Sequence, residues 1–529
     1  MRFFSWLALS GLACSVAARS PQHVNKKLPS RAPARPRHGY PIQPGQVEQH
    51  EKRAKTTIIP QNANTTKFVV DGTGLPDVDF DIGESYAGLM PISSAPNASQ
   101  LYFWFFPSSN PLAADEITIW LNGGPGCSSL EGFFQENGPV LWQYGTFKPV
   151  PNPWTWVNLT NMIWVEQPVG TGFSQGAPTA TNEDEVAAQF LGFFKNFLDT
   201  FGLHNKKIYI AGESYAGYYV PYIADAMLNK KDKKYYDLES ILIYDPSTSS
   251  GTVQQQIPAV PYTDYWHSLF NLNKTFTEDI HKRADKCGYT DFMNKYLTYP
   301  PPGHFPDPPN SSLPGCDLWD DIFSAVLLTN PCFDIYQIAT TCPLLWDVLG
   351  FPGSIPYQPD GASIYFNRSD VQKAINAPQQ EWEECANGVL TTDTSPPSGL
   401  SVLPKVIERA HRTIIAHGEL DYILMANGTL LMIQNMTWHG KQGFQKAPSD
   451  EFFVPYHDDV ALSALAASGV MGTTHTERGL TYVETRLSGH MVPQYQPSAS
   501  FRQVEFLLGR IESLTQKGRF TTQNGGYGG

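Results

Sequence analysis

The sequence predicts an α/β fold, with a mostly parallel central sheet interrupted by a helical, cysteine-bearing insertion. Three observations carry this reading. Between Thr66 and Tyr244 short apolar runs alternate with helical patterns, as βαβ units require. Over residues 246–359 the chain becomes Pro-rich, holds Cys287, Cys316, Cys332 and Cys342, and shows only short helical pieces such as 317–328. The alternation then resumes at 406–417 and 480–487 and ends in an amphipathic segment at 498–511. Residues 56–245 and 360–515 are therefore read as two halves of one core, 246–359 as a cap-like insertion, and 516–529 as a flexible tail.

Met1-Arg2, an apolar run over 3–13 and the small residues 15–18 have the three parts of a secretory signal peptide, assigned to 1–18. The run is shorter than the ~20 apolar residues of a membrane span, and no later stretch reaches that length. Residues 19–55 are Pro-rich and basic, lack hydrophobic periodicity and contain Lys52-Arg53. They are expected to be a leader or a pro-segment cut near Arg53. Strands are predicted at 101–106, 117–121, 162–165, 207–211 and 241–244. The clearest helix starts after Asn182 as N-cap, with Glu183, Asp184 and Glu185 in its first turn. Val186, Phe190, Phe193, Phe194, Phe197 and Leu198 follow at helical spacing, which assigns these rings to the core.

With 529 residues, 41% hydrophobic and 16% charged, the chain has ample material for a large core. A net charge of -13 argues against nucleic acid or an anionic membrane as partner. Outside the leader, Cys127, Cys287, Cys316, Cys332, Cys342 and Cys385 form an even set, so three disulfides are expected. Without a C-x-x-C pair, no metal site is expected, nor any cofactor. Acceptors for N-glycosylation stand at Asn64, Asn97, Asn158, Asn273, Asn310, Asn367, Asn427 and Asn435, consistent with a secreted protein, vacuolar retention being the second choice.

The sharpest chemical signal is Gly212-Glu213-Ser214-Tyr215-Ala216-Gly217 after the apolar strand 207–211. A nucleophile elbow needs small residues around its serine, because the turn from strand to helix leaves no room for side chains. In an α/β-hydrolase fold the acid and then the base follow later in the chain. Asp421 lies in the loop after 413–416, and His490 in the Gly-flanked loop before the last helix. His417 and His475 are the rival bases, but His417 precedes the acid and no strand is predicted to lead into His475. The turn Asn122-Gly123-Gly124-Pro125-Gly126-Cys127 follows a strand and offers the converging backbone N–H groups of an oxyanion hole.

The blocks 120–130, 161–174 (Asn-Met-Ile-Trp-Val-Glu-Gln-Pro-Val-Gly-Thr-Gly-Phe-Ser), 212–218 and 489–493 resemble the signature blocks of serine carboxypeptidases over residues 66–511, and the density of glycosylation acceptors with the basic leader is similar to that of secreted fungal members. The resemblance implies an α/β-hydrolase that removes residues from the C-termini of peptides and proteins at acidic pH through an acyl-enzyme. It implies Ser214, Asp421 and His490 as the triad and the N–H groups of Gly124 and Tyr215 as the oxyanion hole. Asn122, Glu136 and Glu213 would bind the substrate's terminal carboxylate, one acid keeping a proton because adjacent carboxylates cannot both ionise cheaply. Trp120, Glu131, Gln135 and Met491 are expected in the pocket for the leaving residue, a solvated helix position being the competing reading for Glu131. Cys127 is implied to pair with Cys385. The insertion cysteines allow three pairings, of which the nested Cys287–Cys342 with Cys316–Cys332 is expected. The chain departs from the family at Ile243-Tyr244-Asp245-Pro246, where members often have Ile-Gly-Asn-Gly, and at Glu419, where Asp is common. An esterase or acyltransferase on the same scaffold, or a non-catalytic binding glycoprotein, are the alternative readings.

Overall fold

The structure is a computed structural model that describes residues 58–60, 62–456 and 466–522. The leader calls, 1–18 and 19–55, lie outside the described residues. Among the described residues, eleven strands form the central sheet: β1 Val69–Val70, β2 Ser85–Pro91, β3 Gln100–Phe106, β4 Glu116–Leu121, β5 Met162–Glu166, β6 Lys207–Glu213, β7 Asp237–Tyr244, β8 Arg412–Gly418, β9 Asp450–Val454, β10 Gly469–Glu477 and β11 Leu480–Thr485. Their order is β1-β2-β3-β5-β4-β6-β7-β8-β11-β10-β9. The five central pairings, from β5-β4 to β8-β11, are parallel and the outer ones antiparallel.

All six residues of β4 and all five of β5 are buried, as expected of parallel strands covered on both faces, which read as continuous apolar runs. Side chains alternate between the two layers with period two. On β3, Tyr102, Trp104 and Phe106 enter one cluster with Phe133 and Trp164, while Phe103 and Phe105 enter the other with helix α1, Glu183–Phe201. Asn182 caps α1, its side chain accepting from Glu185 N at 2.9 Å. Phe197 of α1 meets Phe103 and Phe105 edge to face at 5.3 and 5.2 Å. Each such ring buried contributes about 1.5–3 kcal/mol.

The five predicted strands and this helix form at their predicted places. Three expectations about chain elements are corrected. Residues 403–407 are helical, so the predicted run 406–417 is a strand only from Arg412. His475 does lie in a strand, β10, which pairs with β11 as an antiparallel hairpin. Residues 516–522 are not a free tail: Gln516 O accepts from Arg502 at 3.1 Å, Thr521 N donates to Glu505 at 2.5 Å, and Phe520 is buried.

The insertion packs the helices Ile257–Tyr265, Lys274–Lys286, Tyr289–Tyr296 and Leu318–Val326 around their own apolar cluster, which includes Phe270, Trp319 and Tyr422. Its disulfides are Cys287–Cys316 and Cys332–Cys342, so the nested pairing is wrong. Cys287 ends one helix and Cys316 precedes another, and Arg283 Nε donates to Gly315 O at 2.8 Å, holding the two ends side by side. Cys332 and Cys342 bracket a short loop closed by Asn330 Nδ2 donating to Thr340 O at 2.8 Å. The Cα separations, 5.7 and 5.1 Å, are what a disulfide spans. Cys127 pairs with Cys385 as implied.

Candidate active site

Strand β6 runs into helix α2, Ala216–Lys230, through Ser214, whose φ is 62°. A non-glycine residue holds this left-handed conformation only when its surroundings impose it. Here Ser214 N donates to Tyr244 O at 3.0 Å and Ser214 O accepts from Ser247 N at 2.8 Å. The turn tolerates no larger neighbours: a Cβ on Gly212 would lie 2.5 Å from Leu121 O and 2.7 Å from Ala216 Cβ. The same holds for the loop after β4, where a Cβ on Gly123 would lie 2.5 Å from Tyr215 N and 2.7 Å from Ser214 Cβ. The glycine-rich loop and the elbow are thus in contact. The loop is pinned by the Cys127–Cys385 bridge, by Ser128 N donating to Glu384 O at 2.7 Å and by Ser129 Oγ donating to Val165 O at 2.7 Å. Gly124, Ser214 and Tyr215 are half-buried, while Asn122, Glu213, Asp421 and His490 are buried, so these three open the site to solvent.

His490 Nδ1 lies 2.7 Å from Asp421 Oδ2. Asp421 Oδ1 accepts from Ile423 N at 2.9 Å and Leu424 N at 3.2 Å, and His490 N donates to Tyr336 O at 2.8 Å. Both acid and ring are therefore anchored by backbone. Burial pushes the His490 imidazole down, but the Asp421 charge and hydrogen bond, aided by Asp245 and Asp334, raise it above its ordinary range. Its Nε2 is buried and makes no hydrogen bond among the described residues. His417 is set apart: Nε2 meets Thr429 Oγ1 at 2.8 Å, and burial pulls its imidazole down to about 4. His475 bonds Glu477 at 3.2 Å.

Beside the elbow, the Asn122 amide reaches three carboxyls: Nδ2 donates to Glu213 Oε1 at 2.9 Å, to Glu131 Oε2 at 3.2 Å and to Glu136 Oε1 at 3.4 Å. Trp120 Nε1 donates to Asn122 Oδ1 at 2.7 Å, which settles which end of the amide faces the acids. Burial, reinforced by neighbouring carboxyl charge, raises Glu131, Glu136 and Glu213 well above the carboxylate range: Glu213 and Asp347 act on Glu131, Glu131 on Glu136, and Glu136 on Glu213. One oxygen of Glu136 and one of Glu213 are buried and accept from no fixed donor among the described residues, and the two carboxyls are in hydrogen-bonding contact with each other. The three carboxyls could in principle hold a cation, but Asn122 directs N–H donors at all of them.

Glu131 is buried, which overturns the solvated-helix reading. Gln135 is buried and donates to Asp347 Oδ1 at 2.5 Å. Met491, next to His490, is buried, and Trp120 packs against Trp156 at 5.2 Å. Sequence reasoning did not find Asp347 and Glu384, whose carboxyls raise Glu131 or are raised by it. Glu384's only local signal was its place beside Cys385. Four acceptor asparagines, Asn64, Asn97, Asn273 and Asn310, are exposed, while Asn158, Asn367, Asn427 and Asn435 are half-buried.

The family model for serine carboxypeptidase matches residues 76–509. A probable serine carboxypeptidase of Arthroderma benhamiae is 58% identical, covering 96% of this chain and 98% of its own. Serine-type carboxypeptidase F of Aspergillus niger is 48% identical, covering 86% and 88%. The crystal structure of a prohormone-processing carboxypeptidase from Saccharomyces cerevisiae superposes with a TM-score of 0.65 at 23% identity, over 85% of this chain and 98% of that one, a likeness of fold. With the α/β-hydrolase sheet, the serine elbow and the His490–Asp421 pair in place, the chain belongs to the serine carboxypeptidase family, a serine-type peptidase.

Proposed function

We propose that the chain releases C-terminal residues from peptides and proteins at acidic pH through an acyl-enzyme on Ser214. His490 Nε2 takes the Ser214 proton as Oγ attacks the last peptide bond, and Asp421 stabilises the imidazolium. The N–H groups of Gly124 and Tyr215 receive the developing oxyanion. The departing amine takes the proton from His490, and water then hydrolyses the ester by the same path.

The observation that carries the exopeptidase reading is the Asn122 amide joined to Glu136 and Glu213, the latter adjoining Ser214. Acids that stay neutral can donate to a terminal carboxylate, and ionised ones repel it. Nothing favours an esterase, an acyltransferase or a non-catalytic role. No helix among the described residues is long and apolar enough to cross a membrane. The disulfides and exposed acceptor asparagines support export with glycosylation, and residues 19–55 are proposed as a removable leader.

The test is digestion of matched peptides with free and amidated C-termini, read by mass spectrometry. Stepwise trimming of the free peptides alone supports the reading, and equal trimming of both, or internal cleavage, refutes it.

A further inference from the structure

Asp245 stands at the carboxyl end of β7 with φ 42°, a left-handed conformation that Asp adopts more readily than most residues. Its N–H donates to Ala416 O at 2.8 Å, and its Oδ1 accepts from Gly418 N at 2.9 Å. These bonds tie the end of β7 to the end of β8, just before Asp421. Asp245 is fully buried. Asp245, Asp421 and His490 each bring a polar atom within 4.8 Å of the others, and the two carboxyls are in hydrogen-bonding contact.

No group facing Asp245 neutralises it as an anion. His417 Nδ1 lies 3.0 Å from Asp245 Oδ1 but makes no hydrogen bond, and that imidazole is neutral above about pH 4. The His490 Nδ1–H is taken by Asp421. The other titratable neighbours, Glu136, Glu213, Tyr244, Tyr262 and Tyr482, are acids. Asp245 Oδ2 is buried and accepts from no donor among the described residues. A buried charge without a partner is costly, whereas a carboxylic acid becomes a donor. Burial, then the Asp421 charge, raises the Asp245 carboxyl well above its ordinary range despite the opposing pull of His490 and Gly418.

We propose that Asp245 is a positioning residue for the catalytic pair: as a neutral carboxylic acid it donates its O–H to Asp421 and holds that carboxylate where it accepts the His490 Nδ1–H. The proton stays on the carboxyl pair throughout turnover, leaving a single negative charge to balance the imidazolium. This inference rests on the reading of Ser214, Asp421 and His490 given above.

The test reads the rate at which Ser214 reacts with diisopropyl fluorophosphate, which needs the serine and its base but no terminal carboxylate. Asp245→Asn, whose amide still donates, should keep the rate within about threefold of wild type, and Asp245→Leu, without a donor, should lose roughly tenfold or more. An Asp245→Leu rate equal to wild type overturns the proposal. Should Asp245→Leu fail to fold, the infrared difference spectrum of wild type minus Asp245→Asn at mildly acidic pH decides. A carboxylic-acid C=O band supports the proposal, and a carboxylate pair of bands in its place overturns it. Wild type that does not react with the reagent would refute the Ser214 reading instead, and the infrared result would still report the Asp245 proton.

Discussion

Asn122 Nδ2 donates to Glu213 Oε1 at 2.9 Å, joining the glycine-rich loop after β4 to the residue immediately before Ser214. Under the proposed function, this bond puts the group that would receive a substrate's charged end and the serine that would attack its last peptide bond in one rigid frame. A terminal carboxylate bound there sits at a set distance from Oγ, which is what restricts such an enzyme to chain ends.

Ser214→Ala should abolish peptidase activity while leaving thermal unfolding within a few degrees of wild type, because only a half-buried hydroxyl is lost. His490→Ala should be comparably inactive, since triad members act as a unit. Steady-state turnover beside scanning calorimetry checks both, and near-wild-type turnover of either variant refutes its role.

Peptide binding should weaken as pH rises, because the Glu136 and Glu213 carboxyls are raised by burial and by carboxyl charge, from Glu131 on Glu136 and from Glu136 on Glu213. Glu136→Gln and Glu213→Gln stay neutral at every pH, so each should bind less well in acid but lose less as pH rises. Peptide amides should show little of this dependence. KM of free peptides and the inhibition constant of amidated ones, each against pH, decide the matter, parallel profiles in all three proteins ruling out the shared proton.

Folding stability should fall as pH rises through the neutral range. Glu166 is buried, accepting from Trp382 Nε1 at 3.2 Å, from Phe173 N at 2.5 Å and from Ser128 Oγ, and burial raises it to about 7 despite these bonds. Its folded value lies above its unfolded one, so its contribution is fully present below about pH 4.5 and is lost towards pH 7, on the order of 3 kcal/mol. Glu166→Gln should have a lower Tm in acid and a flatter Tm profile against pH. A profile as steep as wild type would remove Glu166 as a cause.

Cys127→Ser with Cys385→Ser opens a link across 258 residues and should cost about 2–5 kcal/mol of stability. Because the bridge also pins the glycine-rich loop, kcat should fall more than KM rises. Denaturant unfolding with steady-state kinetics tests this, unchanged stability counting against the bridge.

Glu131→Gln should reduce the preference for peptides ending in Arg over those ending in Leu. Glu131 is buried near the carboxyls of Asp347 and Glu384, and a cationic side chain entering beside them would favour their ionised form. The ratio of kcat/KM for the matched pair is the measurement, and an unchanged ratio removes Glu131 from the pocket.

What the sequence determined by itself is what neighbouring residues encode. Asn182 and the acids after it set the start of α1, the alternating rings of β3 set its two faces, and the small residues around Ser214 set the elbow, since capping, periodicity and turn sterics act over a few residues. The order serine, acid, histidine and the resemblance of the signature blocks carried the proposed triad and the proposed carboxylate-binding group. Tertiary structure decided what depends on contacts between distant segments. Strand Ser85–Pro91, with its Gly88 and Pro91, reads as a strand only because β1 and β3 supply its hydrogen bonds. The insertion cysteines paired in sequence order because helix ends brought Cys287 to Cys316, a proximity that spacing alone does not carry. Glu131 had the polarity of a surface residue until Asn122 and the surrounding core buried it. Asp245 stood out only as a departure from a family pattern, and it acquired chemical meaning when the sheet placed it against Gly418, 173 positions later, and so beside Asp421. A carboxyl's charge state is set by the dielectric and the donors around it, and those are assembled only when the chain has folded.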